Sequence, residues 1–460
     1  MQKVASFFLC IAGIFLDLSY TVANPHAEVI VIGAGLSGLG AARALHEVGV
    51  SIKVLEARGR VGGRVDSRKL GTDMVDLGAN WITGEGKNPI YQLAKNFHIK
   101  HEYLNEDSPS HIFDGEFNQR LSGMALDSYF YSFSNSLNTV RRKLKKNASL
   151  ADGLNEFIRM RNLDEKEALY TKWATIEWRG EMSYSGGAEQ ISLQHFWTDE
   201  GFAGESHIVP KGFIQIPQLL VKPLDIHFNE LVSKVSYDSK GVTVITNKQT
   251  YKANKVIITV PLGVLKNNSI VFDPPLPESK QEAIRSLGMG SLEIMILQFE
   301  KKFWPDGGFC YYSKSPKPYR CFTDFSDYKG IPTLSGWMAG ADALSVLNSK
   351  SDEVLVTETL ALFKKIFKKT IPKPKHFLLS RWTQDPLAGG AYSYFKVGSD
   401  SSDRKALAAP VGKQLYFAGE ATSSLYYGTT HGAILTGLRE ARRINPQANL
   451  NNLLKKSVKK

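Results

Sequence analysis

An α/β fold is predicted, with a parallel sheet in one unit and a mixed α+β arrangement in a second, and three features of the sequence predict it. Near the start, Val29–Glu56 reads VIVIGAGLSGLGAARALHEVGVSIKVLE: an apolar run, a glycine-rich turn, a helical pattern to His46, and a second apolar run ending on Glu56. Near the end, Gln414–Glu420 (QLYFAGE) is another apolar run that closes on an acid, and a helical pattern over Ala433–Ile444 follows it. Between them, a β-rich segment begins at Val209. Short apolar runs joined through helices read as strands buried on both faces, the signature of a parallel sheet.

The glycine-rich turn defines the first unit. Gly33 allows the tight turn, Gly35 lets the backbone approach a pyrophosphate, and Gly38 lets the helix pack closely on its strand. The helix start offers unpaired N–H groups and a positive dipole end to phosphates. Glu56 lies 18 residues beyond Gly38, where a carboxylate accepts from both ribose hydroxyls and repels a 2′-phosphate, which argues against NADP. A tight βα turn without a ligand would share the glycines. Strand, turn, helix, second strand and acid in this order favour a Rossmann-like dinucleotide site.

After Glu56, Gly62 and Gly63 sit between Arg58, Arg60 and Arg64, a loop suited to covering a pyrophosphate. Asp76–Trp81 (DLGANW) reads as a strand ending in small residues and an aromatic, and 89–205 is mostly helical in pattern. Leu224–Phe228, Val232–Tyr237 and Val242–Thr246 read as a meander, followed by a strand over Val256–Val260. Strands at Ile294–Phe299, Phe309–Tyr312 and Phe322–Phe325 and a helix over Val354–Phe367 come next. Because QLYFAGE repeats the strand-to-acid pattern and leads through Gly428–Gly432 into the last helix, the chain is expected to return to its first unit. The expected nucleotide domain is therefore discontinuous over 28–88, 206–263 and 405–446, with a substrate domain from 89–205 and 264–404 and a basic tail at 447–460.

Two domains suit a chain of 460 residues, since single cores stop growing near ~250–300 residues. At the N-terminus, Lys3 precedes an apolar stretch from Val4 to Leu16, and Thr21-Val-Ala23 makes an acceptable cleavage site. Residues 1–23 are expected to be a signal peptide, cleaved from a secreted or periplasmic protein; an uncleaved anchor is the alternative. No other run is long and apolar enough to span a bilayer. The net charge of +12 gathers at Arg141–Lys146, Lys364–Lys369 and Lys455–Lys460, read as solvated faces or as contacts to an anionic surface. A nucleic-acid partner is not expected, and the oligomeric state is left open. Cys310 and Cys321 flank a turn and form either a cross-hairpin disulfide or two buried thiols. Scattered histidines without HExxH speak against a metal centre, and the lack of GxSxG speaks against a serine hydrolase.

GAGLSG, LEARGRVGGR, DLGANW, VPLGVL, SRWTQDPLAGGAYSY and YFAGEATSSLYYGTTHGAILTGLREA together resemble the flavin-containing amine oxidases. That family includes polyamine oxidases, monoamine oxidases and lysine-specific histone demethylases. The resemblance implies FAD and oxidation of an amine C–N bond to an imine and then an aldehyde, with dioxygen or another acceptor reoxidising the flavin. By position it places Gly33, Gly35, Ser37 and Gly38 at the phosphate turn, Glu56 on the adenosine ribose, and Arg58 and Arg64 near the pyrophosphate. It lays Asn80 and Trp81 along the flavin, sets the Val232 backbone on the adenine, and turns Glu420 toward the ribityl chain and pyrophosphate. Thr429 and Thr430 would present helix N–H groups to the flavin. Trp382 and Tyr392 match aromatic walls for the substrate amine, held by cation–π attraction or packing, and Thr83 matches a substrate-facing position.

Four departures from the family pattern matter. Ala391 stands where monoamine oxidases carry the cysteine bonded to FAD, which implies a noncovalent cofactor. Thr429 replaces a tyrosine wall, as in the histone demethylases. Thr83 stands where several polyamine oxidases place a glutamate or histidine. Ile294 falls where the family nearly always has a lysine linked through water to flavin N5, with Phe299 and Trp304 setting the register. The loss of that lysine implies slower oxygen use, another acceptor or decayed turnover. Alternatives are an L-amino-acid oxidase, which needs a pocket arginine to clamp a carboxylate (candidates Arg179 and Arg320), and an FAD-binding protein with little or no turnover. His431 is expected to be a structural hydrogen-bonder.

Overall fold

His26–Ile32 enters its sheet as a buried strand because its Val and Ile side chains find neighbours on both faces. The computed structural model describes residues 26–104, 111–198, 200–314, 319–340 and 349–451, so the expected signal peptide and nearly all of the basic tail lie outside the described residues. On either side of His26–Ile32 run Ile52–Glu56 and Thr250–Ile258, both parallel to it. Ile226–Phe228 extends the sheet beyond Ile52–Glu56, and Leu415–Phe417 pairs in parallel with the C-terminal half of Thr250–Ile258. The chain thus returns at its end to complete a parallel sheet begun at its start. The N-terminal half of Thr250–Ile258 pairs antiparallel with Gly241–Thr246, which leads to Val232–Asp238 and then Val271–Asp273.

Here the structure corrects the expected meander. Its strands are Val232–Asp238, Gly241–Thr246 and Thr250–Ile258, whereas Ile226–Phe228 leaves it for the Glu56 strand. The Asn229 and Glu230 amides donate to the Arg58 and Glu56 carbonyls and fix that crossing. Alternation identifies a strand but not its partner.

Helices Leu36–His46 and Thr430–Ile444 pack together on this sheet through small residues. A Cβ on Gly437 would lie 2.1 Å from the Ser37 carbonyl oxygen, and one on Gly40 would lie 2.8 Å from Ile434. The second sheet runs in the order His376–Leu379, Leu292–Gln298, Thr333–Ala339, Cys321–Asp324, Phe309–Tyr312, His111–Asp114, Gln119–Leu121. Its last two strands come from the segment expected to be mostly helical. The same segment also supplies a strand at Glu102–Leu104 and builds a helical lobe from Gly123–Lys143, Leu150–Arg161, Glu165–Lys172 and a π-helix at Trp173–Glu181. Cys310 and Cys321 face each other across two antiparallel strands and are disulfide-bonded, which decides between the alternatives. Among the described residues no helix is long and apolar enough to cross a membrane.

Candidate functional site

A cavity of about 620 Å³ runs from the Gly33–Gly38 turn to the second sheet. At the turn, Gly33 adopts φ +105°, and a Cβ on Gly38 would sit 1.9 Å from the Gly33 carbonyl oxygen. The tight turn and the close helix therefore require glycine at both places. A Cβ on Gly35 would meet only the Gly62 carbonyl, at 3.9 Å, and would project into open cavity. The Ser37 hydroxyl is buried beside it without a hydrogen-bond partner among the described residues. Each Glu56 oxygen accepts one backbone N–H, from Ala34 at 2.7 Å and from Arg58 at 2.8 Å. Burial raises its pKa, against those two bonds and the positive charge of Arg58. Each of its oxygens keeps acceptor capacity for a hydroxyl. An orphan hydroxyl, an open glycine and a carboxylate with spare lone pairs fit the diphosphate and ribose of a flavin dinucleotide.

Further along, Arg58 pairs with Asp385 at 2.5 Å, and Arg64 donates to Glu420 at 2.9 Å and to the Ala391 carbonyl at 2.8 Å. Glu420 also accepts from the Ser393 hydroxyl and the Gly428 amide, at 2.7 and 2.8 Å. Burial works to raise its pKa, but Arg64, the Ser393 hydroxyl and Arg404 outweigh it and hold the group low. Glu420 thus binds three segments together, a role the sequence reading missed. Behind it lies Arg404, fully buried, donating to Ser393 Oγ at 2.9 Å and packed over the rings of Phe395 and Tyr427.

Asn80, Trp81 and Thr83 line the cavity, as do Val232 near Glu56 and Thr429 and Thr430 at the start of the last helix. Thr429 is the cap of that helix: its hydroxyl accepts from the Gly432 amide at 2.9 Å and donates to the Tyr426 carbonyl at 2.7 Å. Of the residues the family resemblance places on the cofactor or substrate, Gly38 alone does not line the cavity; it backs the turn instead. His431 lines it too, edge-on to Phe202 and Tyr426, with Nε2 buried and without a hydrogen-bond partner among the described residues. Burial pushes its pKa down to about 4, so the ring is neutral near pH 7.

At the far end, Trp382 and Tyr392 line the wall and are both anchored. The Trp382 indole donates to the Leu77 carbonyl at 2.6 Å, and the Tyr392 hydroxyl donates to the Met182 carbonyl at 2.7 Å. Burial, then the negative charge of Glu420, raises the Tyr392 pKa, so it stays a phenol. Strand alternation in Leu292–Gln298 sends Ile294 to the cavity side with Trp337, its partner across the strands, and Trp81 packs on Trp337 with centroids 5.3 Å apart. Glu293 points the other way and holds the Trp382 turn, accepting from the Trp382 and Thr383 amides, both at 2.9 Å. A lone acid inside the apolar run LEIMIL was the signal that could have found it. Arg179 also lines the cavity, whereas Arg320 does not and pairs with Glu177.

The chain matches a family model described as flavin containing amine oxidoreductase over residues 36–445. It is 33% identical over 434 residues to polyamine oxidase 2 of Arabidopsis thaliana, covering 90% of this chain and 87% of that protein. It is 34% identical over 438 residues to lysine-specific histone demethylase 1 homolog 2 of Oryza sativa subsp. japonica, covering 91% of this chain and 57% of that protein. The chain therefore spans little more than half the length of that demethylase homologue. Putrescine oxidase bound to putrescine superimposes with a TM-score of 0.74 at 20% identity, over 91% of this chain and 99% of that one. At that identity the likeness concerns the fold alone.

Proposed function

Because the chain belongs to the flavin-containing amine oxidoreductases, we propose that it oxidises the C–N bond of an amine, a polyamine or monoamine, with noncovalently held FAD. The observation that carries this reading is one cavity joining the nucleotide turn at Ser37 and Glu56 to the anchored walls Trp382 and Tyr392. Gly33, Gly35, Ser37, Glu56 and Val232 would hold the adenosine and diphosphate, and Arg64, Asn80, Trp81, Glu420, Thr429 and Thr430 the remainder. When bound, the flavin supplies two-electron oxidation of the amine to an imine, which water hydrolyses to an aldehyde, and passes the electrons to dioxygen or another acceptor. Ala391 offers no nucleophile for a covalent link, and the thiols of Cys310 and Cys321 are used in the disulfide.

The protein's own part is positioning. Trp382 and Tyr392 orient the amine, the apolar wall of Ile294, Trp337 and Trp81 favours its neutral form, and the helix capped by Thr429 turns a positive dipole end toward the cavity. His431 is neutral at pH 7 and carries no proton to deliver. Ile294 cannot hold a water by hydrogen bonding, which supports slow coupling to oxygen or a different acceptor. Cofactor binding is assigned to 28–88, 206–263 and 405–446, and substrate binding to 89–205 and 264–404. Export is proposed as well, and a disulfide is the bond an oxidising compartment sustains.

The test is anaerobic bleaching of the flavin absorbance with polyamines, acetylated polyamines, monoamines and L-amino acids, followed by admission of air. Bleaching by one class identifies the reaction and substrate, and the air step reads reoxidation. FAD binding with no bleaching by any amine defeats the proposal and leaves a flavin-binding protein without turnover.

A further inference from the structure

The helix Asp352–Phe367 opens on two acids, Asp352 and Glu353, and closes on lysines. From 364 to 375 the chain carries Lys364, Lys365, Lys368, Lys369, Lys373 and Lys375 and no acid, and all six side chains are exposed. Lysines in a last helical turn complement the helix dipole, which accounts for Lys364 and Lys365. The other four lie past the helix end, where the dipole falls off and like charges only repel one another.

Folding concentrates this charge further. The Lys369 ammonium donates to the Phe303 carbonyl at 2.9 Å and lies 5.8 and 5.6 Å from the ring centroids of Phe303 and Phe367. The Lys375 amide donates to the Gln298 carbonyl at 2.7 Å. These contacts lay 364–375 along 298–303 and bring the exposed Lys301 and Lys302 beside it. Asp306 and Asp324 pair with Lys302, and Glu300 meets Lys375 at 3.6 Å. Lys365 donates to the Tyr311 hydroxyl at 2.7 Å. Among the described residues, Lys301, Lys364, Lys365, Lys368, Lys369 and Lys373 have no carboxylate partner. Neither segment holds an arginine, and neither exposes an aromatic or large aliphatic side chain. Nucleic-acid bases therefore have nothing to stack on, and a bilayer has no apolar side chain to take up. What the ridge presents is a row of compact ammonium charges, which suits a linear chain of sulfate groups.

We propose that this lysine ridge is an interaction surface for a linear sulfated polysaccharide, bound through its sulfates by the six lysines that have no carboxylate partner. None of these lysines lines the cavity, so the surface stands whether or not the amine-oxidising reading does.

The test measures binding of a heparin dodecasaccharide to the full FAD-loaded chain by calorimetry at several salt concentrations. Affinity should fall about 100-fold or more between roughly 50 and 200 mM salt, as expected when several lysines displace counterions together. Lys301→Gln with Lys364→Gln and Lys368→Gln removes three of the exposed charges and should weaken binding about tenfold or more, with a shallower salt dependence. Arg142→Gln with Lys143→Gln and Lys146→Gln removes the same charge from the exposed basic cluster that follows helix Gly123–Lys143, and should bind within about twofold of the parent. Both sets lie on the surface, and their melting temperatures are compared with the parent to show that they fold. Duplex DNA of matched charge and vesicles of anionic phospholipid are run beside heparin and should bind more weakly. No heparin binding, an equal loss in the two triple variants, or tighter binding of DNA or vesicles overturns the proposal. A loss confined to the ridge variant supports it.

Discussion

Glu293→Gln replaces one carboxylate oxygen by an amide nitrogen and tests what holds the Trp382 wall. Glu293 is fully buried. Its Oε2 accepts from the Trp382 amide at 2.9 Å and from Ser380 Oγ at 2.6 Å, and its Oε1 accepts from the Thr383 amide and hydroxyl, both at 2.9 Å. The hydroxyls can rotate, but the two backbone N–H groups cannot, and there is one on each oxygen. Whichever way the glutamine amide turns, its NH2 faces a backbone donor. One charge-assisted bond is lost, about 1.5–3 kcal/mol, and one buried N–H is left unmade, about 1–3 kcal/mol. Against this, burial raises the Glu293 pKa despite the four donors, so a neutral side chain recovers part of the desolvation cost. The net expectation is a loss of about 2–4 kcal/mol. Urea unfolding of Glu293→Gln is compared with Glu300→Gln, an exposed control beyond the same strand, expected within about 0.5 kcal/mol of the parent. With the Trp382 turn released, anaerobic bleaching by the best amine should also slow. If Glu293→Gln unfolds with its control and bleaches at the parent rate, the carboxylate does not hold the wall and this reasoning is wrong.

Ile294→Lys should speed reoxidation of the reduced flavin by air about tenfold or more, read by stopped flow, through a proton-handling group; an unchanged rate would separate Ile294 from oxygen reactivity. It should also lower thermal stability, since a side chain 1% exposed exchanges apolar burial for an ammonium. The His431 pKa is depressed by burial, so its contribution is full above the unfolded value of 6.5 and is lost as pH falls toward about 4. Over that window up to about 3 kcal/mol should disappear, and His431→Phe, which keeps the ring between Phe202 and Tyr426, should flatten that limb of the melting-temperature profile. The Cys310–Cys321 bond closes a loop with a sequence separation of 11. Cys310→Ala with Cys321→Ala should therefore cost about 3 kcal/mol on denaturation, and dithiothreitol should shift the parent but not the variant.

Much of the fold was readable because its rules are local. The Gly33–Gly38 turn, the Leu36–His46 helix and the acid at Glu56 follow from backbone sterics and periodicity within a few residues, and QLYFAGE carries the same local pattern at the far end. Period-two alternation likewise sends Ile294 and Glu293 to opposite faces of one strand.

What the sequence left open depends on partners far along the chain. Ile226–Phe228 reads as a strand, but its place beside Glu56 depends on a crossing that no alternation pattern encodes. Cys310 and Cys321 are bonded because two strands come into register. Glu293 reaches Trp382 across 89 positions, and Arg404 reaches Glu420 through Ser393 from a helix with no motif of its own. Of the two candidate arginines, only Arg179 lines the cavity, while Arg320 is taken by Glu177. Burying a charge costs several kcal/mol unless a partner meets it. Which partner meets it is a fact of packing, and packing is settled only when the whole chain has folded.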